Sequence, residues 1–241
     1  YRLRMRAAYE RLTSILSDPD ECGMSALDCI YEIMENEVQR RDSNALARRL
    51  KEAKICLPNA RPDTIDFSIE RGLDKNKIDA LLTMRWMEEH QNIIITGAAG
   101  CGKTFLACAL VNQACIKGRT ARVVRVPLLL NQMAASHQIV ETYFKKLKEM
   151  KTIDLLVLDD WGIGQLDARS RQDLLEIINE RYMYASTIVT SVLPVNKWSE
   201  YINDTTYSDA ILDRLVSVSH RVELNGASVR QMKEYGAVLK E

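Results

Sequence analysis

Net charge is missing from this chain as a bulk property: 33 Lys and Arg stand against 33 Asp and Glu, leaving a formal charge of +0. A neutral chain has no global basic field, so any nucleic-acid contact must come from locally clustered charge. Histidine is scarce, with only His90, His137 and His220, and the six cysteines at 22, 29, 56, 101, 108 and 115 form no C-x-x-C or H-x₃-H spacing. That argues against a zinc site and for reduced thiols in a cytoplasm. Cys108 and Cys115, seven apart on one expected helix, read as small apolar packing rather than a disulfide. No apolar run approaches membrane-spanning length, and the opening YRLRMRAAYERL carries arginines through what would be a signal's apolar core. The chain starts at Tyr1 rather than Met, so a few leading residues are expected to be missing. Internal repeats, low-complexity tracts and long linkers are lacking too.

What is present is 46% apolar residues in 241, enough for an ordinary core in one or two domains. Two textures divide the chain, and the expected domains are 1–62 and 63–241. The first is helical. Met5, Tyr9, Leu12 and Leu16 make one stripe; Ser25 with Asp28 resembles a capping box opening a second helix with Leu27, Ile30, Met34 and Val38 on its buried face. Ser43 is the expected cap of a third helix, closed by Pro58. Within RRDSNALARRLKEAK, Arg40, Arg41, Arg48, Arg49, Lys51 and Lys54 outnumber Asp42 and Glu52. The excess suits either a solvated helix face or a surface that meets phosphates.

From about residue 63, apolar or β-branched runs at 93–96, 123–126, 155–158, 187–190 and 221–224 alternate with helical stretches at about 76–89, 104–117, 128–149, 167–183 and 208–216. That alternation predicts an α/β fold with a five-stranded, mainly parallel sheet, its ligands at the strands' carboxyl ends. Between the first strand and the next helix stands GAAGCGKT, residues 97–104. Its glycines Gly97, Gly100 and Gly102 let backbone N–H groups converge on a phosphate, Lys103 reaches the outer phosphates and Thr104 can hold Mg²⁺. ATP and Mg²⁺ are therefore the expected cofactors. The run Leu155-Leu156-Val157-Leu158 buries a strand and drives Asp159 and Asp160 out at its end, Asp159 to hold the metal and Asp160 to orient and deprotonate water. Ser191 or Thr190, ending the next strand, can report hydrolysis by hydrogen-bonding the water or phosphate. Arg214, near the end of an amphipathic helix, either bonds within its own helix or is presented to another subunit's ATP.

These residues, together with LDDWG, STIVTS, DAILDRL and HRVEL, closely resemble IstB, the AAA+ ATPase family that assists an insertion-sequence transposase and is related to DnaC-type helicase loaders. The resemblance covers almost the whole chain, including Arg48 to Lys54 and Arg71-Gly72-Leu73-Asp74. It implies a P-loop AAA+ core preceded by a small helical N-terminal domain, with Lys103 and Thr104 as the Walker A pair and Asp159 and Asp160 as Walker B. Ser191 then matches sensor 1, Arg214 the arginine finger and Arg230 a nucleotide-contacting sensor 2. It also implies homo-oligomers that form with ATP on duplex DNA, bend it and recruit a transposase, with the N-terminal helices in the DNA contact. Segments 128–136 and 139–149 look like the extra helix of the initiator clade. Only 17 residues (241 − 224) follow the last expected strand, so the helical lid should be absent or reduced. The alternatives are a helicase loader of the DnaC type, a small-molecule P-loop kinase, and a nucleotide-binding scaffold that hydrolyses nothing.

Overall fold

The computed structural model describes residues 4–18 and 24–226; Cys22, Arg230 and the segment expected to hold a reduced lid lie outside them. The chain divides into two compact units, 1–49 and 50–241. Residues 50–62, expected with the helical segment, thus belong to the larger unit, where Ala53 and Ala60 are fully buried.

Among the described residues the smaller unit holds two helices instead of the expected three: α1, Arg6–Ser17, and α2, Ala26–Ala53, which runs on past the boundary between the units. The Ser25 cap is present, Oγ accepting from Asp28 N at 3.2 Å. Ser43 caps nothing, because neither Gly nor Pro interrupts residues 26–53 and the helix simply continues. The two helices run antiparallel: Ala7 N and Ala8 N donate to Glu37, and Arg11 donates to Glu32. Ala7, Ala8 and Ile15 of α1 are buried. The apolar face of α2 expected to be buried lies outside, with Leu27 77% and Ile30 61% exposed, and the stripe on α1 is exposed at Tyr9, 70%, and Leu16, 68%.

The larger unit is a doubly covered α/β layer. Its strands are β1 (Asn92–Gly97), β2 (Ala121–Arg125), β3 (Leu155–Trp161), β4 (Ser186–Ser191) and β5 (Ser219–Leu224), in the order β2-β3-β4-β1-β5. Every pairing is parallel, with Ile93 opposite Ile188 and His220. Burial on both faces explains why β1, β3 and β4 read as continuous apolar or β-branched runs rather than alternating ones. Between β1 and β2 lies α5 (Lys103–Ile116), packed against β1 to β4, with Cys108 and Cys115 at 0% exposure. On the opposite face Ile94, Leu156, Leu158 and Trp161 join α6 (Val126–Ser136), α7 (Val140–Thr152), α8 (Ala168–Arg181), α9 (Trp198–Ile202) and α10 (Thr205–Val216) in one core. Each large aliphatic side chain fully buried there contributes about 1.5–3 kcal/mol.

Two boundaries differ from expectation. The helix expected at 76–89 is two, α3 (Lys75–Leu82) and α4 (Arg85–Glu88), because Met84 is left-handed at φ 65°. Val126 opens α6 rather than closing β2, with Pro127 in the first turn, where a missing N–H costs nothing.

Candidate functional site

Four loops at the carboxyl edge of the sheet converge on one site. After β1 the chain turns through residues 98–102 and enters α5 at Lys103, so the amides that open that helix have no acceptor within it. Gly97 is obligatory, since a Cβ there would stand 2.2 Å from the Leu224 carbonyl oxygen. The Lys103 ammonium folds over its own loop, donating to Gly97 O at 2.9 Å and Ala98 O at 2.8 Å. Thr104 Oγ1 donates to Asp159 Oδ1 at 2.9 Å, across from the loop to the end of β3.

The two carboxylates owe their placement to a bulge. Leu158 pairs with Val189 and Trp161 with Ser191, so Asp159 and Asp160 together face the single residue Thr190. Trp161 can then turn inward, fully buried against Trp198 at 5.1 Å between ring centroids, while Asp160 is swung outward in a left-handed conformation, φ 62°. Such a conformation costs a non-glycine residue of order 1–3 kcal/mol and is concentrated at functional sites. Asp159 is buried and takes a second bond from Thr190 Oγ1, which also accepts from Asp160 N at 3.3 Å. Asp160 stays partly exposed, and Arg125 Nε, from the end of β2, donates to its Oδ2 at 2.7 Å. That bond holds the Arg125 guanidinium above its ordinary range.

A lysine-bearing glycine loop at a helix start, facing an acidic pair, is shared with many nucleotide-binding folds, and comparison with known proteins narrows it. The family of IstB-like ATP-binding proteins matches residues 2–237. The chain belongs to that family. An insertion-sequence ATP-binding protein of Sinorhizobium fredii is 39% identical over 219 residues, 91% of this chain and 89% of that one. Among solved structures, DnaI superposes with a TM-score of 0.59 at 21% identity, over 75% of this chain and 98% of that one. The DnaC helicase loader gives 0.56 at 21% identity, over 70% and 98%. The fold is therefore the AAA+ α/β layer.

In this IstB-like chain the structure gathers Gly97, Gly100, Gly102, Lys103, Thr104, Asp159 and Asp160 at one edge, and leaves other expected site residues elsewhere. Ser191 ends β4 on the same edge, but its hydroxyl is engaged away from the carboxylates, donating to Trp161 O at 2.8 Å and accepting from Leu193 N at 3.0 Å, so Thr190 is the strand-end hydroxyl on them. Arg214 lies at the amino edge, its carbonyl accepting from Asn92 Nδ2 at 3.2 Å and its guanidinium 5.7 Å from the Tyr182 ring centre. Nη1 also donates to Ala210 O at 2.7 Å. The length of β1, five steps of about 3.3 Å or roughly 16 Å, separates that edge from the phosphate loop. On α2, Arg41 pairs with Glu37 at 2.8 Å and Arg40 stands 3.9 Å from Glu10. Arg48, Lys51 and Lys54 are exposed and Arg49 half-buried.

Two arginines were not expected at the site. Arg125 could have been found by aligning strand ends, since it is opposite Asp159 in the parallel register. Arg71 carries no periodic signal, yet it borders the phosphate loop from a segment far outside it.

Proposed function

We propose that this IstB-like chain is an ATPase that acts as a nucleotide-controlled switch on duplex DNA, assembling into homo-oligomers that remodel the DNA and recruit or activate a transposase. The observation that carries this reading is the placement of Arg214 at the sheet edge opposite Lys103, Asp159 and Asp160. A guanidinium there is remote from its own chain's phosphates, and it suits ATP held by a neighbouring subunit. Phosphates would draw on the Lys103 ammonium and the amides opening α5. Thr104 and Asp159 bring hard oxygen donors within 2.9 Å of each other, the donor type that Mg²⁺ takes. Bound there, the metal supplies charge neutralisation to the phosphates. Asp160, once released by Arg125, would orient and deprotonate the attacking water, while Thr190 links that carboxylate pair to β4. DNA contact is assigned to Arg40, Arg41, Arg48, Arg49, Lys51 and Lys54, with residues 1–62 as the contacting region. Work on DNA beside a transposase would place the protein in the cytoplasm.

Light scattering with a non-hydrolysable ATP analogue, with and without duplex, tests the switch. Particles should grow only when both are present, and phosphate release should rise on adding duplex. A particle that stays one chain in size under all conditions, or turnover indifferent to DNA, ends this reading. Helicase loading is the second reading, suggested by the fold shared with DnaI and DnaC. The 39% identical insertion-sequence relative favours transposition, and co-purification with a helicase rather than a transposase would reverse that preference.

A further inference from the structure

The run Arg71-Gly72-Leu73-Asp74 has no part in the site so far, yet Arg71 is 6% exposed beside a cavity of about 320 Å³ that opens onto the phosphate loop. One wall of the cavity is Gly102, Lys103 and Phe105; the other is Leu57, Ile69 and Arg71. The arginine is built into this position. Its carbonyl accepts from Asn225 N at 2.8 Å, which ties it to the end of β5. Its Nη1 lies where a side chain on Gly102 would be, 2.4 Å from an ideal Cβ, so the third glycine of the loop also makes room for a cation.

The guanidinium's own bonding is incomplete. Nη1 donates to Cys101 O at 3.3 Å and Nη2 to Asp66 O at 3.0 Å, whereas buried Nε has no acceptor among the described residues. Those carbonyl oxygens carry no net charge; the Asp66 carboxylate, which also lines the cavity, offsets the cation only in part, and burial still pushes the group down from its ordinary range. An anion entering the cavity would relieve that penalty, and the apolar Leu57, Ile69 and Phe105 line room between the two walls for a flat ring.

Resting on the nucleotide reading above, we infer that Arg71 is a nucleotide-binding residue, a second cation in the same chain that meets the phosphate nearest the nucleoside while the base lies in the cavity behind it. The test is calorimetric titration of the full chain with ADP at several salt concentrations. Arg71→Gln should weaken ADP binding by about 10- to 100-fold and flatten its salt dependence, and Arg71→Lys should restore much of both. Wild-type affinity in Arg71→Gln overturns the inference, as does a loss with an unchanged salt slope that Arg71→Lys fails to recover, which would mark a brace for the loop. In the unaltered protein the Arg71 Nε–H resonance, assigned by its loss in Arg71→Lys, should move on adding ADP; an unmoved signal also overturns it. Failure of the wild type to bind ADP would defeat the nucleotide reading itself, whereas failure confined to the variants defeats only the role of Arg71.

Discussion

Thr190 and Ser191 are neighbours with the same functional group, and their hydroxyls do unrelated work because successive strand residues point to opposite faces. Thr190 bonds to Asp159, whereas Ser191 ties Trp161 O to Leu193 N. Thr190→Val should lower ATP turnover by roughly tenfold or more with nucleotide affinity little changed, as measured by phosphate release and calorimetry. Ser191→Ala should leave turnover alone and lower stability by about 1–3 kcal/mol, read from denaturant unfolding, because a buried carbonyl and amide lose their partner. The cysteines allow a second check at this scale. Burial and the nearby Cys56 sulfur, 3.7 Å away, push the Cys108 thiol up to about 12, so at neutral pH it carries almost no thiolate. Iodoacetamide at pH 8 should label exposed Cys56 in the folded chain and spare Cys101, Cys108 and Cys115, as seen by peptide mass spectrometry.

Among the elements, α1 depends on a carboxylate from another helix. Its first turn has no side-chain cap of its own, and Glu37 Oε2 takes the amides of Ala7 at 3.0 Å and Ala8 at 3.2 Å. The Arg41 bond and those amides hold Glu37 below its ordinary 4.5. The sign follows from that depression. The contribution is fully present above pH 4.5, the unfolded value, and is lost as pH falls through the lower folded value. Protection of the α1 amides in the intact chain, taken relative to their intrinsic exchange rate at each pH, should therefore fall as acid is added below about pH 4.5, and Glu37→Gln should show low protection at every pH. An equal acid response in that variant would assign the effect to other groups. The β3 bulge is the other element-scale device, since an unbroken ladder would place consecutive Asp159 and Asp160 on opposite faces with no change of direction.

At the scale of the whole molecule the separation of Arg214 from the carboxylates makes a mixing experiment decisive. Arg214→Ala and Asp160→Asn should each be nearly inactive, and the two mixed should regain part of the DNA-stimulated turnover, because an intact Arg214 from one chain can face an intact Asp160 in the other. A mixture as inactive as its components would show that Arg214 does not act between chains. Charge reversal at Arg48 and Arg49 should weaken duplex binding and flatten its salt dependence, each lost phosphate contact reducing the slope of log affinity against log salt by about 0.9. Binding unchanged across salt concentrations would leave those arginines as solvated surface.

How much of this was legible beforehand depended on the range of the interaction concerned. The five strands and the loop before α5 could be read because burial on both faces and anion binding each impose a local residue pattern. Asp159 and Asp160 were legible for the same reason, as charges that end an apolar run. The continuous α2 was not, because a potential cap such as Ser43 starts a helix only where the preceding turn is interrupted. The apolar face of α2, expected inside, lies outside because periodicity marks an apolar face without specifying what covers it. Sequence by itself determined the layer order of helices and strands, the phosphate loop and the acidic strand end, all set by contacts within a few residues. Tertiary structure alone decided that Thr190 rather than Ser191 meets Asp159, that Arg125 holds Asp160, that Arg71 reaches the loop from 30 residues away, and that Arg214 stands at the far edge. Those outcomes depend on strand register, a bulge and chain segments brought together only when the sheet is assembled, and no local pattern encodes them.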